Sequence, residues 1–205
     1  MYIDFDTLDP KARYKLLTAC VIPRPVAWTT TISGDGVVNA APYSFFNVFG
    51  EAPALIVLGV QTRPDGTPKD TTRNIRTSGD FVVNIATEAE TDLMVETAAP
   101  YPPEAGEPDA IGLATRASTK VKAPRLAIAP VAFECRLITI MGFAGDRELI
   151  VGEALALHAR EGLIDRERLY VDWQGKMPIG RLFADRYART VEIEPKPIPA
   201  PRSAS

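Results

Sequence analysis

The chain has 205 residues, of which 46% are hydrophobic and 24% charged, as in an ordinary globular protein. A net charge of -3, with no long run of Lys and Arg, argues against a nucleic-acid-binding protein. One histidine, His158, and two isolated cysteines, Cys20 and Cys135, argue against a zinc site and against a Ser-His-Asp triad.

The N-terminal part of the chain alternates between polar and strand-like stretches. Residues 1–17 lack the basic-then-apolar order of a signal peptide, and a helix is expected near residues 9–18. The alternation in PVAWTTTIS, residues 25–33, predicts a strand. GDG, residues 34–36, predicts a hairpin turn. The return strand is VVNAAPY, where Pro42 should end the regular pairing or mark a sheet edge.

The remaining strands are longer and more apolar. The longest apolar run, ALIVLGV, is too short to span a bilayer, so we expect no membrane contact. The two lone thiols suit a reducing compartment, so we expect a cytoplasmic protein. Helices are expected at 88–99 and 161–169, and an extended tail at 191–205 follows a domain at 1–190. Six or seven strands in hairpin order predict a mainly β barrel with few helices. The predicted later strands are 54–60, 80–86, 131–143 and 148–158.

Two stretches around the first hairpin carry groups that could face a ligand. WTTT, residues 28–31, places hydroxyls on both faces of a strand, although threonine also simply fits strands. NAAPYSFFN, residues 39–47, combines small residues with a proline, which would allow a flat ring to approach the backbone and leave amides free. The alternative is a bulged strand end that packs Phe45 and Phe46 into the core.

A third stretch, KDTTRNI, begins at Lys69. Asp70 or Thr71 could simply cap a short helix over residues 71–77. A helix N-terminus also offers unpaired N–H groups and a positive dipole end, to which Lys69 adds a charge and Thr71 or Thr72 a hydroxyl. The two interpretations are compatible, and the second predicts a phosphomonoester site. No GxGxxG or P-loop motif offers an alternative phosphate site.

Taken in order, these motifs resemble the flavin reductase-like family of FMN-binding split barrels. The most specific parts are R-P-x-A-W-x-T-T, N-x-A-P-Y-S-x-F and K-D-T-x-x-N-I, and the resemblance covers about residues 18–190. It implies a six-stranded antiparallel Greek-key split β-barrel that forms a homodimer and holds FMN at the dimer interface. The longer turn TRPDGTP before Lys69 departs from the family pattern.

The resemblance also implies which residues line the cofactor. Lys69, Thr71 and Thr72 would hold the phosphate, with Asn74 bracing the loop. The isoalloxazine edge would run along the second motif, and the first motif would lie near the ribityl or phosphate. The residues carried over from these two motifs are Trp28, Thr29, Thr30, Thr31, Asn39, Ala41, Pro42, Tyr43, Ser44, Phe45 and Phe46.

The implied activity is an NAD(P)H-dependent FMN reductase, with an oxygenase component as a further partner. The alternatives are a flavoredoxin-like electron carrier with tightly bound FMN and a non-catalytic flavin-binding protein. Because cofactors carry hydride chemistry themselves, we assign no catalytic side chain. Arg181 and Tyr187 could approach the flavin or form a surface pair, and His158 could border the nicotinamide or end a strand.

Overall fold

The computed structural model describes residues 1–199, and most of its regular elements are strands. Two short 3₁₀ turns lie at Phe5–Thr7 and Glu88–Glu90. The helices and strands, in chain order, are α1 Pro10–Cys20, β1 Arg24–Pro25, β2 Ala27–Ile32, β3 Val38–Tyr43, β4 Phe46–Glu51, β5 Ala54–Gln61, α2 Asp70–Ser78, β6 Asp80–Ile85, α3 Thr91–Glu96, α4 Glu107–Ala110, β7 Thr115–Arg116, β8 Arg125–Leu126, β9 Val131–Phe143, β10 Arg147–Ala159, β11 Gly180–Arg181 and β12 Tyr187–Ala188.

Within the described residues, one antiparallel sheet has the strand order β3-β2-β6-β9-β10-β5-β4. It contains seven strands, which agrees with the six or seven that the pattern predicts and exceeds by one the number that the resemblance implies. An interruption of the strand at Ser44 and Phe45 separates β3 from β4. The two strands lie at opposite edges of the sheet. The N–H of Gly59 in β5 donates to the carbonyl of Phe45 at 2.6 Å, which ties this junction to the far side of the sheet. The expectation of a mainly β protein with few helices is confirmed.

Two apolar clusters pack on the two faces of β2, because successive side chains of a strand point in opposite directions. Ala27 joins the cluster between the strands, which includes Tyr43, Leu58 and Phe81. Trp28 joins a second cluster, outside the strands, with Met94 of α3 and other residues. Cys135 is fully buried in the first cluster. Both faces of β2 are therefore covered by protein.

The C-terminal third differs from the sequence-based expectation. The helix predicted at 161–169 is wrong: this segment consists of turns, with positive φ at Gly162 and Leu169. The carboxylate of Asp165 accepts the N–H groups of Glu167 and Arg168 at 2.9 and 3.1 Å, so its side chain stabilises a turn in place of a helix. Residues 191–199 form no regular element; the rest of the predicted tail, 200–205, lies outside the described residues.

The described residues lack two features that would bear on function. Across residues 1–199, none of the helices has the length and apolar character that a membrane span requires. The same residues contain no group of three or more His, Cys, Asp and Glu side chains arranged to hold a metal ion.

Candidate functional site

The N-terminus of α2 lacks a side-chain cap. Lys69, rather than the predicted Asp70 or Thr71, is the N-cap residue, and in the described part of the chain no side chain accepts from the first-turn amides. The Asp70 carboxylate instead forms ion pairs with Arg63 and Arg73. The first N–H groups of a nine-residue helix therefore point outward without a partner, which favours binding of an anion.

Basic side chains surround this helix start. The pKa of Lys69 is lowered, first by partial burial and then by the positive charges of Arg63 and Arg147. The Lys69 ammonium also lies 5.7 Å from the ring centre of Tyr43. The positive charges of Lys69, Arg63 and Arg147 favour an anion near the helix start in addition to the helix dipole, while Asp70 already pairs with Arg63.

Three buried polar side chains meet beside the helix start. Thr71 Oγ1 lies 3.0 Å from Asn39 Nδ2 and 2.8 Å from the hydroxyl of Tyr43. Burial raises the pKa of Tyr43 to about 12, so this hydroxyl stays protonated at neutral pH. β3 contributes Asn39 and Tyr43, and α2 contributes Thr71, so the second and third motifs come together.

The outer edge of β3 has no free N–H group at Ala40 or at Pro42. The N–H of Ala40 points away from β2 and donates to Glu107 Oε2 at 2.8 Å. Pro42, two residues on, points the same way and has no N–H. The edge therefore presents carbonyl oxygens, which accept hydrogen bonds. Burial raises the pKa of Glu107, the carboxylic acid that closes one end of this edge.

Two cavities flank the outer edge of β3. The first, of about 380 Å³, lies between β3 and the start of α2, and the second, of about 620 Å³, lies toward the β3–β4 break. Both are lined by Pro42 and Ala98, so the two spaces adjoin along the strand. The first is lined by Asn39, Ala41, Tyr43, Arg63, Lys69, Thr71, Tyr101 and Glu107 among others. The second is lined by Tyr14, Arg24, Ser44, Asp92, Arg181 and Tyr187 among others.

The predicted residues of the WTTT stretch lie behind the cavities. Trp28, Thr29, Thr30 and Thr31 are all fully buried. The Trp28 indole donates to Thr97 Oγ1 at 2.9 Å, and Thr31 Oγ1 accepts from Asn74 Nδ2 at 3.1 Å. Their side chains bond protein groups, so direct contact of these side chains with a flavin, as predicted, has no support in the structure. Through its bond to Thr31, Asn74 joins α2 to β2.

Of the two phenylalanines after Ser44, Phe45 lies at the surface and Phe46 lies against the core. Phe45 is partly exposed, and the Arg147 guanidinium lies 5.3 Å from its ring centre. Phe46 packs against the core between the strands, as does Ala41. Of the second motif, Pro42 and Ser44 reach the second cavity, while Ala41, Pro42 and Tyr43 reach the first.

Arg24, Arg63 and Glu107 are site residues that the sequence analysis did not select. Arg24 is 7% exposed and donates to Thr18 O at 2.6 Å, to Leu182 O at 2.9 Å and to Ser44 Oγ at 3.4 Å. It joins α1, the C-terminal segment and the β3–β4 break. Arg24 opens the first motif, which was a usable signal, whereas no local pattern marks Arg63 or Glu107.

The structure defines the contacts of Arg181, Tyr187 and His158, for which the sequence allowed two roles each. The Arg181 guanidinium stacks 4.5 Å from the ring centre of Tyr187, bonds its hydroxyl, and lines the second cavity. His158 lines neither cavity; its imidazole contacts the buried carboxylate of Glu134 instead. Of these residues, Arg181 and Tyr187 are close enough to the β3 edge to meet a ligand there.

The chain is similar to known proteins in sequence and in fold. The model of the flavin reductase-like domain family matches residues 19–180. An uncharacterized protein of Aquifex aeolicus is 40% identical over 91% of both chains. The structure is similar to 2-nitrobenzoate 2-nitroreductase NbaA of Pseudomonas fluorescens (TM-score 0.89, 37% identity, 97% and 96% of the chains). It is also similar to nitrilotriacetate monooxygenase component B of Bacillus cereus (TM-score 0.89, 34% identity, 95% and 98%).

Proposed function

The chain belongs to the flavin reductase-like domain family and has its split-barrel fold, and we propose that it binds FMN and reduces it with NAD(P)H. The single observation that carries the proposal is the uncapped start of α2, which combines free N–H groups with Lys69 and Thr71 beside a cavity. These groups are all hydrogen-bond donors or cations, as a phosphate dianion requires.

A threonine hydroxyl in the first turn of α2 that lacks a hydrogen-bond partner also supports an anion at this helix start. Within the described residues, the buried hydroxyl oxygen of Thr72, in the first turn of α2, makes no hydrogen bond. Unpaired buried polar atoms are uncommon and call for an explanation. A phosphate held by Lys69, Thr71 and Thr72 would supply acceptors to this turn.

The planar part of the ligand would continue along the β3 edge toward Ser44. Carbonyl oxygens on this edge accept from ring N–H groups, and the Ser44 hydroxyl, held by Arg24, can bond the polar rim. The second cavity, with Arg181 and Tyr187, leaves about 620 Å³ beside that position for the nicotinamide of the donor. The flavin itself would supply the hydride-accepting chemistry, so the protein orients the partners and excludes water.

Burial indicates a supporting role for the remaining predicted residues. Trp28 and the three threonines of β2 would form the wall behind the cofactor, and Asn74 would hold that wall to α2 through Thr31. The proposal also includes a homodimer with FMN at its interface, since β4 is an edge strand that exposes Val48 and Phe49.

An absorption spectrum followed by an anaerobic titration tests the proposal. The purified protein with FMN should shift the flavin bands, and NADH or NADPH should bleach them. An unchanged spectrum on adding FMN would contradict flavin binding, and bound FMN that neither nucleotide reduces would instead support a non-catalytic flavin-binding protein.

Substitution of Lys69 tests the phosphate position. Lys69→Gln should weaken FMN binding by about 2 kcal/mol, or roughly thirtyfold, because it removes a charge-assisted contact. Riboflavin, which lacks the phosphate, should bind the variant and the wild type equally. Lys15→Gln, an exposed lysine on α1, makes the same charge change and is the control. Equal losses for FMN and riboflavin would contradict the assignment.

The similar structures suggest two different uses for the reduced flavin. One relative is component B of a monooxygenase, which favours a reductase that hands reduced FMN to an oxygenase. The other is a nitroreductase, which favours reduction of a substrate on the protein itself. Gel filtration of the loaded protein separates free exchange from tight retention: a flavoredoxin-like carrier stays yellow, whereas a reductase that uses FMN as a substrate elutes colourless.

A further inference from the structure

The direction of one hydroxyl hydrogen, that of Thr71, decides what the start of α2 can bind. Thr71 is 1% exposed, and its two hydrogen-bonding neighbours, Asn39 and Tyr43, are each 7% exposed. Thr71 nevertheless lines the first cavity. A ligand oxygen in that cavity gains a hydrogen bond only if the Thr71 hydrogen points outward, toward it.

The two neighbours fix that direction. A hydroxyl has one hydrogen and two acceptor positions, and the amide nitrogen of Asn39 can only donate to it. If Thr71 donated to Tyr43, the Tyr43 hydrogen would have no acceptor, because the phenol oxygen has no other partner within the described residues. A buried donor without a partner costs about 1–3 kcal/mol. Tyr43 therefore donates, and both acceptor positions of Thr71 are filled.

We propose that Asn39 and Tyr43, which also line the first cavity, are positioning residues that hold the Thr71 hydroxyl as an outward-pointing donor. The inference rests on the proposed function and deepens it. With Lys69 and the free amides of α2, the Thr71 hydrogen adds to a set of donors in a cavity lining that also includes the carboxylates of Asp70 and Glu107. Because these donors are already in place, they favour a phosphomonoester over an uncharged flavin without reorganising when the anion arrives.

The Tyr43 ring has a separate role that can be kept while the hydroxyl is removed. The ring supports the Lys69 ammonium at 5.7 Å and packs in the cluster between the strands. Tyr43→Phe deletes one oxygen and preserves both contacts. The variant therefore isolates the hydrogen bond to Thr71 from packing and from the cation–π contact.

The test is a fluorescence titration of the full-length protein with FMN and, separately, with riboflavin. Tyr43→Phe should weaken FMN binding about three- to tenfold and change riboflavin binding less than about twofold. Thr71→Val should weaken FMN binding about ten- to thirtyfold. The double variant should bind FMN no more weakly than Thr71→Val alone, because Tyr43 acts only through Thr71. Tyr170→Phe, on an exposed tyrosine, is the matched control.

The outcomes separate this inference from the proposed function. Unchanged FMN binding by Tyr43→Phe, equal losses for both ligands, or additive losses in the double variant would overturn the positioning role. Asn39→Ala provides a second variant, with the same selective loss expected, if Tyr43→Phe melts at a lower temperature than the wild type. Wild-type protein that binds FMN and riboflavin equally would overturn the phosphate site itself, and the inference with it.

Discussion

Glu134 should be a major contributor to stability, although it lies outside the candidate site. Its carboxylate, in β9, is fully buried and accepts the N–H groups of Thr119 and Lys120 at 2.7 and 2.5 Å, as well as contacting His158. The substitution Glu134→Gln keeps the size of the side chain. Its amide oxygen can serve one of the two N–H groups, but its NH₂ opposes the other donor.

The expected loss follows from these contacts. One buried N–H left without an acceptor costs about 1–3 kcal/mol, and the lost charge weakens the remaining bonds. We expect about 3 kcal/mol in all, which for a chain of this length lowers the melting temperature by roughly 6–12 °C. Glu153→Gln, which breaks the exposed pair with Arg136, should cost less than about 1 kcal/mol and is the control.

The loss should also depend on pH in a defined direction. Burial by itself raises the pKa of Glu134, but the bonds from Thr119, His158 and Lys120 outweigh it, so the pKa in the folded protein is lowered. A lowered pKa stabilises the fold above the ordinary range of glutamate, near 4.3, and the stabilisation disappears as the pH falls through the folded value. Urea unfolding at pH 7 and at pH 4 measures both effects. Equal stability of variant and wild type at pH 7, or a gap that does not narrow in acid, would refute the reasoning.

Three further predictions concern packing and assembly. Gly59→Ala would place its Cβ 2.9 Å from the Cβ of Phe45, so it should destabilise the fold by about 1–3 kcal/mol in urea unfolding; an unchanged midpoint would contradict the close contact. Trp28→Phe removes the buried bond to Thr97 and should cost about 1–2 kcal/mol, while FMN affinity changes less than twofold; a large selective loss of affinity would show that the indole contacts the ligand. Phe49→Asp should yield a monomer in light scattering, and a dimer of unchanged affinity would exclude β4 from the interface.

The strands were predictable because alternation and apolar runs survive in a single sequence. Residues 131–143 and 25–33 matched β9 and β2 closely. The strand β4 was missed because its residues follow Ser44 and Phe45 without a turn signal and four of its six residues are exposed. The error at 161–169 has a different origin: side-chain bonding by Asp165 and positive φ at Leu169 override a helical composition.

The candidate site was predictable in its motifs and not in its contacts. KDTTRNI marks a helix start that can be recognised from sequence, because its lysine, threonines and apolar residue lie within one short stretch of the chain. The closure of the β3 edge depends on Glu107, which is 67 residues from its partner Ala40, so no local pattern reveals it. Burial of all four side chains in WTTT was hidden for the same reason, since the covering residues lie at 97 and 124.

The separation of β3 from β4 has a consequence for how the protein is made. These strands are neighbours along the chain, yet five others stand between them in the sheet. During synthesis, residues 39–46 are therefore made long before the strands 131–143 and 147–159 that complete the sheet around them. Competence to bind a flavin should appear abruptly, only after synthesis passes residue 159, which would make ligand fluorescence a reporter of completed folding.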